Sequence, residues 1–218
     1  MATAAHPPAI DAAAIARFDA DGWVALPEVL GPDARRQTLE VVGRLVEQAR
    51  IEPQARDRVT GGTLHLDALQ ASSESLPQAW SDERILAIIG HHLGPGAVLA
   101  DATYRAPLPG YGAQTLHADW PAPIYDEQWQ VANALIALVD IGEGAGATRV
   151  VPGTHRTPDT RFRPKSPNDR HPGQVLLAGP AGIAFVFSGH VLHSGTVNRT
   201  DTPRHALLIN YRRASPAT

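Results

Sequence analysis

From residue 97 onward the chain breaks into short apolar runs of strand length, among them "GAVLADATYR", "VANALIALVD", "ATRVVPG", "GQVLLAG", "GIAFVFSG", "VLHSGTV" and "HALLINYRR". Gly, Pro, Asn and Asp clusters separate them, so each run has to turn before it could become a helix. Many short strands with a turn after each allow few solutions: a sandwich of two sheets, or a barrel. The first part of the chain reads differently. "DAAAIARFDADG" suits a short helix stopping at Gly22, "WVALPEVL" alternates as a strand, and "GPDARRQTLEVVGRLVEQAR" restarts a helix with Pro32 at its first position. Leu39, Val42, Leu45 and Val46 mark the buried stripe of that helix. "SDERILAIIGHHLG" gives a third helix, with Ser81 as N-cap and Gly94 as stop. The expectation is one mostly β domain over residues 1–218, a helix-rich part (1–96) packed on a β core (97–213).

Composition narrows the chemistry. The net charge is −3 with a single lysine, Lys165, which argues against a nucleic-acid surface. The opening "MATAAHPPAID" lacks a basic segment followed by an apolar one, and no apolar run is long enough to span a bilayer, so a cytoplasmic location is expected. There are no cysteines, which leaves His, Asp and Glu as the metal ligands available.

"QTLHADW" (114–120) supplies two of them. In a strand, residues i and i+2 share a face, so His117 and Asp119 point together. A third ligand has to come from elsewhere, and His193 is the best candidate. Two histidines and one carboxylate form a facial triad with open positions, which suits non-haem iron(II) and oxygen activation. Arg204 follows His193 by eleven residues across a polar turn. If the two strands pair antiparallel, Arg204 returns beside His193, where a guanidinium would hold a carboxylate through two hydrogen bonds. A co-substrate that chelates metal at one end and carries a carboxylate at the other has the shape of 2-oxoglutarate. The same scaffold also fits a hydrolase or isomerase in which Zn(II) or Mn(II) activates water, or a binding domain without catalysis.

These segments resemble, in order, those of the phytanoyl-CoA dioxygenase family. "FDADGWVALPEVLGPDARR" is similar to the family's N-terminal opening and "QTLHADW" to its His-x-Asp segment. "GAGATRVVPGTHR" is similar to its Gly-rich stretch, and "HSGTVNRTDTPR" to its distal His and Arg. The resemblance spans about residues 18–212. It implies a double-stranded β-helix (jelly-roll, cupin-like) core, with His117, Asp119 and His193 as iron ligands and Arg204 on the far carboxylate of 2-oxoglutarate. Gln114 and Thr148 match positions that hydrogen-bond the co-substrate. It further implies Fe(II), O2 and 2-oxoglutarate, with ascorbate supportive, decarboxylation to succinate, and hydroxylation of a small molecule such as a secondary metabolite or an amino-acid-like compound. Related halogenases carry a small residue at the position of Asp119, so the resemblance favours hydroxylation. "GEGAGAT" departs from the family's usual Asn-Gly ahead of the Thr.

Other residues have plainer readings. A second His-x-Asp, His65 and Asp67, precedes the strand-rich region and is set aside as a surface pair. His190 lacks an Arg eleven residues on, His155 suits a turn, and His91 and His92 close a helix whose dipole favours a cation. His205 should face away from Arg204, while His6 and His171 lie in loop-like surroundings. Trp120 and Tyr125 read as packing, while Trp129 and Tyr104 are possible pocket walls. Arg105, Arg161 and Arg163 read as solvated loop arginines, and residues 156–173 as a candidate lid or mobile loop.

Overall fold

Alternation along the central strands divides the apolar side chains between two cores. In the computed structural model, which describes residues 12–51, 59–60, 62–71, 76, 79–120 and 129–214, ten strands form two antiparallel sheets flanked by helices. The helices are α1 (Ala12–Asp21), α2 (Pro32–Ile51) and α3 (Glu83–Leu93). The strands are β1 (Trp23–Leu26), β2 (Val59–Thr60), β3 (Thr63–Leu66), β4 (Val98–Pro107) and β5 (Val131–Ala137), then β6 (Thr148–Val151), β7 (Val175–Leu177), β8 (Ala184–Ser188), β9 (Leu192–Gly195) and β10 (Ala206–Arg212). The large sheet runs β1-β8-β5-β10-β4-β3-β2 and the small one β7-β6-β9, so the expected jelly-roll core is present. The N-terminal part is less purely helical than its sequence suggests, because β1 and the β2–β3 pair extend the two edges of the large sheet.

On β5, β8 and β10 one set of alternate residues, including Ala134, Ile136, Val186, Leu207 and Ile209, meets Phe18, Ile85, Ile88 and Ile89 from the helices. The other set, including Leu135, Ala137, Phe185, Phe187 and Ala206, meets Val150 and Leu177 of the small sheet. Full burial of these side chains contributes about 1.5–3 kcal/mol for each of the larger ones. The small sheet is too narrow to cover the whole inner face. The uncovered end carries Asp101, Thr103 and Arg105 of β4 with Asn133 and Asn210, and there the polar chemistry collects.

Three local expectations change. The α3 N-cap is Asp82, not Ser81: its carboxylate accepts from Arg84 N (2.9 Å) and Ile85 N (3.4 Å), while Ser81 ends a short 3-10 turn. The buried stripe of α2 centres on Thr38, Val41, Val42 and Ala49, with Leu39, Leu45 and Val46 half-buried beside it. The strand begun at Trp23 ends at Leu26. Among the described residues no helix is long and apolar enough to cross a membrane; His6 and Tyr125 lie outside them.

Behind the large sheet, Trp129 sits among three histidines. It stacks on His92 at 5.0 Å and meets His155 and His190 at 5.5 and 5.3 Å. Trp129 is therefore not a pocket wall, and Tyr104 is not one either: it is buried and bonds His205 Nδ1 through its hydroxyl (2.6 Å). Of the two helix-end histidines, His91 pairs with Asp19 (2.9 Å), whereas His92 is buried against Ser188 Oγ (3.0 Å). Burial, reinforced by neighbouring His155 and His190, pushes His92 from 6.5 down to about 2. The native state therefore keeps His92 neutral while the unfolded chain takes up a proton as the pH falls below 6.5. Stability is complete above that value and declines below it by about 1.4 kcal/mol per pH unit. Urea unfolding at pH 4.5 should thus show roughly 3 kcal/mol less stability than at pH 7.5 from this residue, and His92→Gln should flatten the dependence. An unchanged pH slope in the variant would exclude His92 as the source.

Candidate active site

His117 and His193 meet because their backbones form one cross-strand rung. His117 N donates to His193 O (3.0 Å) and His193 N to His117 O (2.8 Å), so both side chains leave the ladder on the same side, with ring centroids 4.7 Å apart. The segment 114–120, expected as a strand, is an extended strap with this single bridge, held further by Gln114 N to Gly195 O (3.0 Å) and Asp119 N to Gly189 O (2.8 Å). Gly195 permits the close approach: a Cβ there would stand 2.4 Å from Gly112 O.

The imidazoles are preset as ligands. His117 Nδ1 lies 2.8 Å from Thr115 O and His193 Nδ1 lies 2.9 Å from Val191 O. A carbonyl only accepts, so both Nδ1 atoms carry the proton and both Nε2 lone pairs are bare. They face Asp119 Oδ1 at 3.7 and 3.6 Å, while Asn133 Nδ2 donates to the other carboxylate oxygen (2.7 Å). Three acceptor atoms within 4.8 Å of one another, with no donor between them, repel unless a cation joins them. Ligand atoms on one ion at right angles stand roughly 3 Å apart, so small side-chain rotations close the gap. Burial holds His193 below the ordinary histidine range, against the opposing pull of Asp119, which keeps it in the neutral form a metal needs.

The triad opens into a cavity of about 580 Å³, also lined by Gln114, Thr148 and Arg204. Arg204 does not arrive there by pairing with the strand of His193. Strand β9 belongs to the small sheet and β10 to the large one, so the chain crosses between sheets. Asn198 shapes that crossing: its amide donates to Pro107 O (3.0 Å) and Thr202 O (2.7 Å), its carbonyl oxygen takes Thr200 N (3.0 Å), and Arg204 N returns to Pro107 O (3.2 Å). Arg204 is 6% exposed. Its Nη1 donates to Gly146 O (3.0 Å), its Nε has no partner, and burial, with the nearby Arg105, lowers it to about 10. Gly146 lies in the departing "GEGAGAT" loop, and its φ of +74° is where glycine is favoured. An incompletely paired, buried guanidinium at the back of a cavity is a site for an anion.

Several residues stand elsewhere than their sequence suggests. His65 lines the same cavity from β3, although it is not in the triad, and burial and the adjoining Arg105 keep it below the usual range. Arg105 is not a loop arginine, because β4 continues to Pro107 and carries its side chain to the cavity wall; Arg161 and Arg163 are exposed. Trp120 does not pack inward: it is 44% exposed and edges a second cavity. His190 accepts from Gln130 N (2.9 Å), His155 Nε2 contacts Asp19 O (3.2 Å), and His171 pairs with Asp159 (3.0 Å). Asn133 and Asn210, joined at 2.8 Å, were not singled out from sequence. The available signal was a lone amide in each of two apolar strands, "VANALIA" and "ALLINYR".

The long connection 156–173 is tied down. Arg149, 2% exposed on β6, donates to Pro167 O (2.9 Å) and Asp169 O (2.7 Å) in that connection, and also to Gln114 O (3.2 Å) and Ser194 Oγ (2.7 Å). Arg149→Gln removes several charged hydrogen bonds made by a buried guanidinium, at a cost of about 3 kcal/mol, so the thermal midpoint should fall by roughly 6–12 °C. Protease should then cut within 156–173 first. A midpoint shift under about 2 °C would show that the knot is not structural.

The comparisons with known proteins agree with this geometry. The family model described as phytanoyl-CoA dioxygenase (PhyH) matches residues 18–206. The chain belongs to the phytanoyl-CoA dioxygenase family. Dioxygenase trt7 of Aspergillus terreus is 30% identical over 93% of this chain and 73% of its own length. Two solved structures share the fold. AviO1 from Streptomyces viridochromogenes has a TM-score of 0.72 at 22% identity, covering 96% of this chain and 99% of that one. EctD from S. alaskensis, solved with 2-oxoglutarate and 5-hydroxyectoine, has a TM-score of 0.72 at 21% identity, covering 97% and 78%. As a member of that family, the chain is an Fe(II)/2-oxoglutarate-dependent oxygenase.

Proposed function

We propose that His117, Asp119 and His193 hold the ferrous ion, that Arg204 takes the far carboxylate of 2-oxoglutarate, and that the outcome is hydroxylation of a small molecule. The observation that carries this reading is the pair of imidazoles anchored through Nδ1 with both Nε2 atoms turned to Asp119 Oδ1. When bound, iron supplies oxygen activation coupled to decarboxylation of the keto acid. The protein's part is positional. Asn133 holds one carboxylate oxygen of Asp119 so that the other faces the metal. Gln114, whose Oε1 accepts from Gly195 N (3.2 Å), and Thr148 border the space between the triad and Arg204, where they orient the co-substrate.

Arg204, a buried cation with an unpaired Nε lining the same cavity as the triad, favours a keto-acid co-substrate over a hydrolase that needs only activated water. The experiment is anaerobic addition of Fe(II) and 2-oxoglutarate, followed by air, ascorbate and a panel of small polar compounds. The reading expects the visible charge-transfer band of an Fe(II)–keto acid chelate, then succinate in step with product. Tight metal binding without any interaction with 2-oxoglutarate would move the protein to the hydrolase class.

A further inference from the structure

The cavity holding the triad adjoins a second one of about 630 Å³, and the two share Arg105, Asp119, Asn133 and Leu208. The second cavity is a trough on the uncovered end of the large sheet. Its floor is set by register: Thr103 faces Leu208 and Asp101 faces Asn210, with Asn133 opposite Asn210 on the other side. The Asn210–Asn133–Asp119 chain of hydrogen bonds (2.8 and 2.7 Å) ties this floor to the triad. A molecule lying in the trough therefore has one end beside Asp119, while the co-substrate space lies on the side of Arg204.

Arg105 stands where the two cavities join. Among the described residues nothing pairs with it, and its Nε is buried without a partner. Its charged neighbours include Arg204, and His65 is its cross-strand partner on β3. The nearest acid on its own strand face, Asp101, is four residues and about 13 Å along the strand, with its carboxylate taken by Ala68 N (3.1 Å), Gln70 (3.4 Å) and Thr103 (3.2 Å). Charge balance points the same way. Across the two cavities, iron(II), Arg204, Arg105 and Arg212 together outweigh Asp119, Asp101 and the two carboxylates of 2-oxoglutarate by a single positive charge. A half-buried cation with no counter-ion calls for an anion from the ligand.

We infer that Arg105 is a substrate-recognition residue, and that the substrate is a small carboxylate-bearing molecule whose polar body lies along the trough over Asn133 and Asn210. This assignment rests on the oxygenase reading above. Arg204, at the back of the co-substrate cavity, serves 2-oxoglutarate; Arg105, at the junction, serves the substrate.

The test uses the full chain loaded anaerobically with Fe(II) and 2-oxoglutarate, and follows the chelate band. Propionate, isobutyrate and benzoate are each titrated against their neutral amides. The expected result is that the acids shift the band without bleaching it and the amides do so at least about tenfold more weakly. Arg105→Gln should form the chelate at the same 2-oxoglutarate concentration as wild type yet need about tenfold more acid for the shift. Arg105→Lys, retaining the charge, should recover part of the response; thermal midpoints confirm that both variants fold. Equal response to acids and amides overturns the inference. So does bleaching by the acids, which would place them on the co-substrate site, and so does loss of the chelate in either Arg105 variant, which would assign Arg105 to 2-oxoglutarate. Failure of the band in wild type removes the oxygenase reading itself, and this inference with it.

Discussion

Replacing Asp119 with alanine is expected to weaken ferrous-ion binding by at least about a hundredfold and to bring succinate formation below detection. Among the described residues the carboxylate is the one anion facing the two bare Nε2 atoms, so its loss leaves neutral ligands alone against a divalent cation. His117→Ala should behave alike. His65→Ala, at a histidine in the same cavity but outside the triad, should keep iron affinity within about threefold. Equilibrium dialysis with Fe(II) under argon reads all three, and circular dichroism verifies folding. Full iron affinity in the Asp119 variant would remove the assigned centre.

The second large effect concerns two buried arginines with opposite expected behaviour. Arg149 has its donors matched to acceptors, whereas Arg204 keeps a buried Nε without any. Arg204→Leu should therefore reduce 2-oxoglutarate affinity by about a hundredfold or more, the usual outcome of truncating one side of a buried charged contact. It should leave the ligand-free protein as stable as wild type, or more so, because an uncompensated buried charge is exchanged for an apolar group. Iron binding should persist. Calorimetric titration with 2-oxoglutarate in the presence of Mn(II), beside a thermal scan without ligand, separates the two effects. A large loss of stability would mean that Arg204 supports the fold; unchanged titration would take it out of the co-substrate site.

Much of this was readable before any coordinates. Strand lengths and turn residues from position 97 onward limited the architecture to a two-sheet sandwich or a barrel, and the candidate ligands His117, Asp119 and His193 that the sequence brought forward do share one place in the fold. What stayed hidden depends on register between strands far apart in the chain. Arg105, Asn133 and Asn210 become neighbours only because β4, β10 and β5 lie side by side, and no local pattern encodes that order. Arg105 looked like a loop residue because Pro107 and the glycines after it suggest an early strand end, yet β4 continues to Pro107. Asp82 outcompeted Ser81 as a cap because its carboxylate also holds the Arg84 side chain (2.8 Å). The expected pairing of the His193 and Arg204 strands failed for a topological reason: after β9 the chain leaves the small sheet and β10 joins the large one.

The knot at Arg149 bears on how such an enzyme can diverge. Its grip on the long connection is through the main-chain oxygens of Pro167 and Asp169, and a backbone oxygen is present whatever amino acid occupies the position. Mutation can therefore rewrite residues 157–166 while the far end of the segment stays moored, through Pro167 and Asp169, to Arg149 on β6.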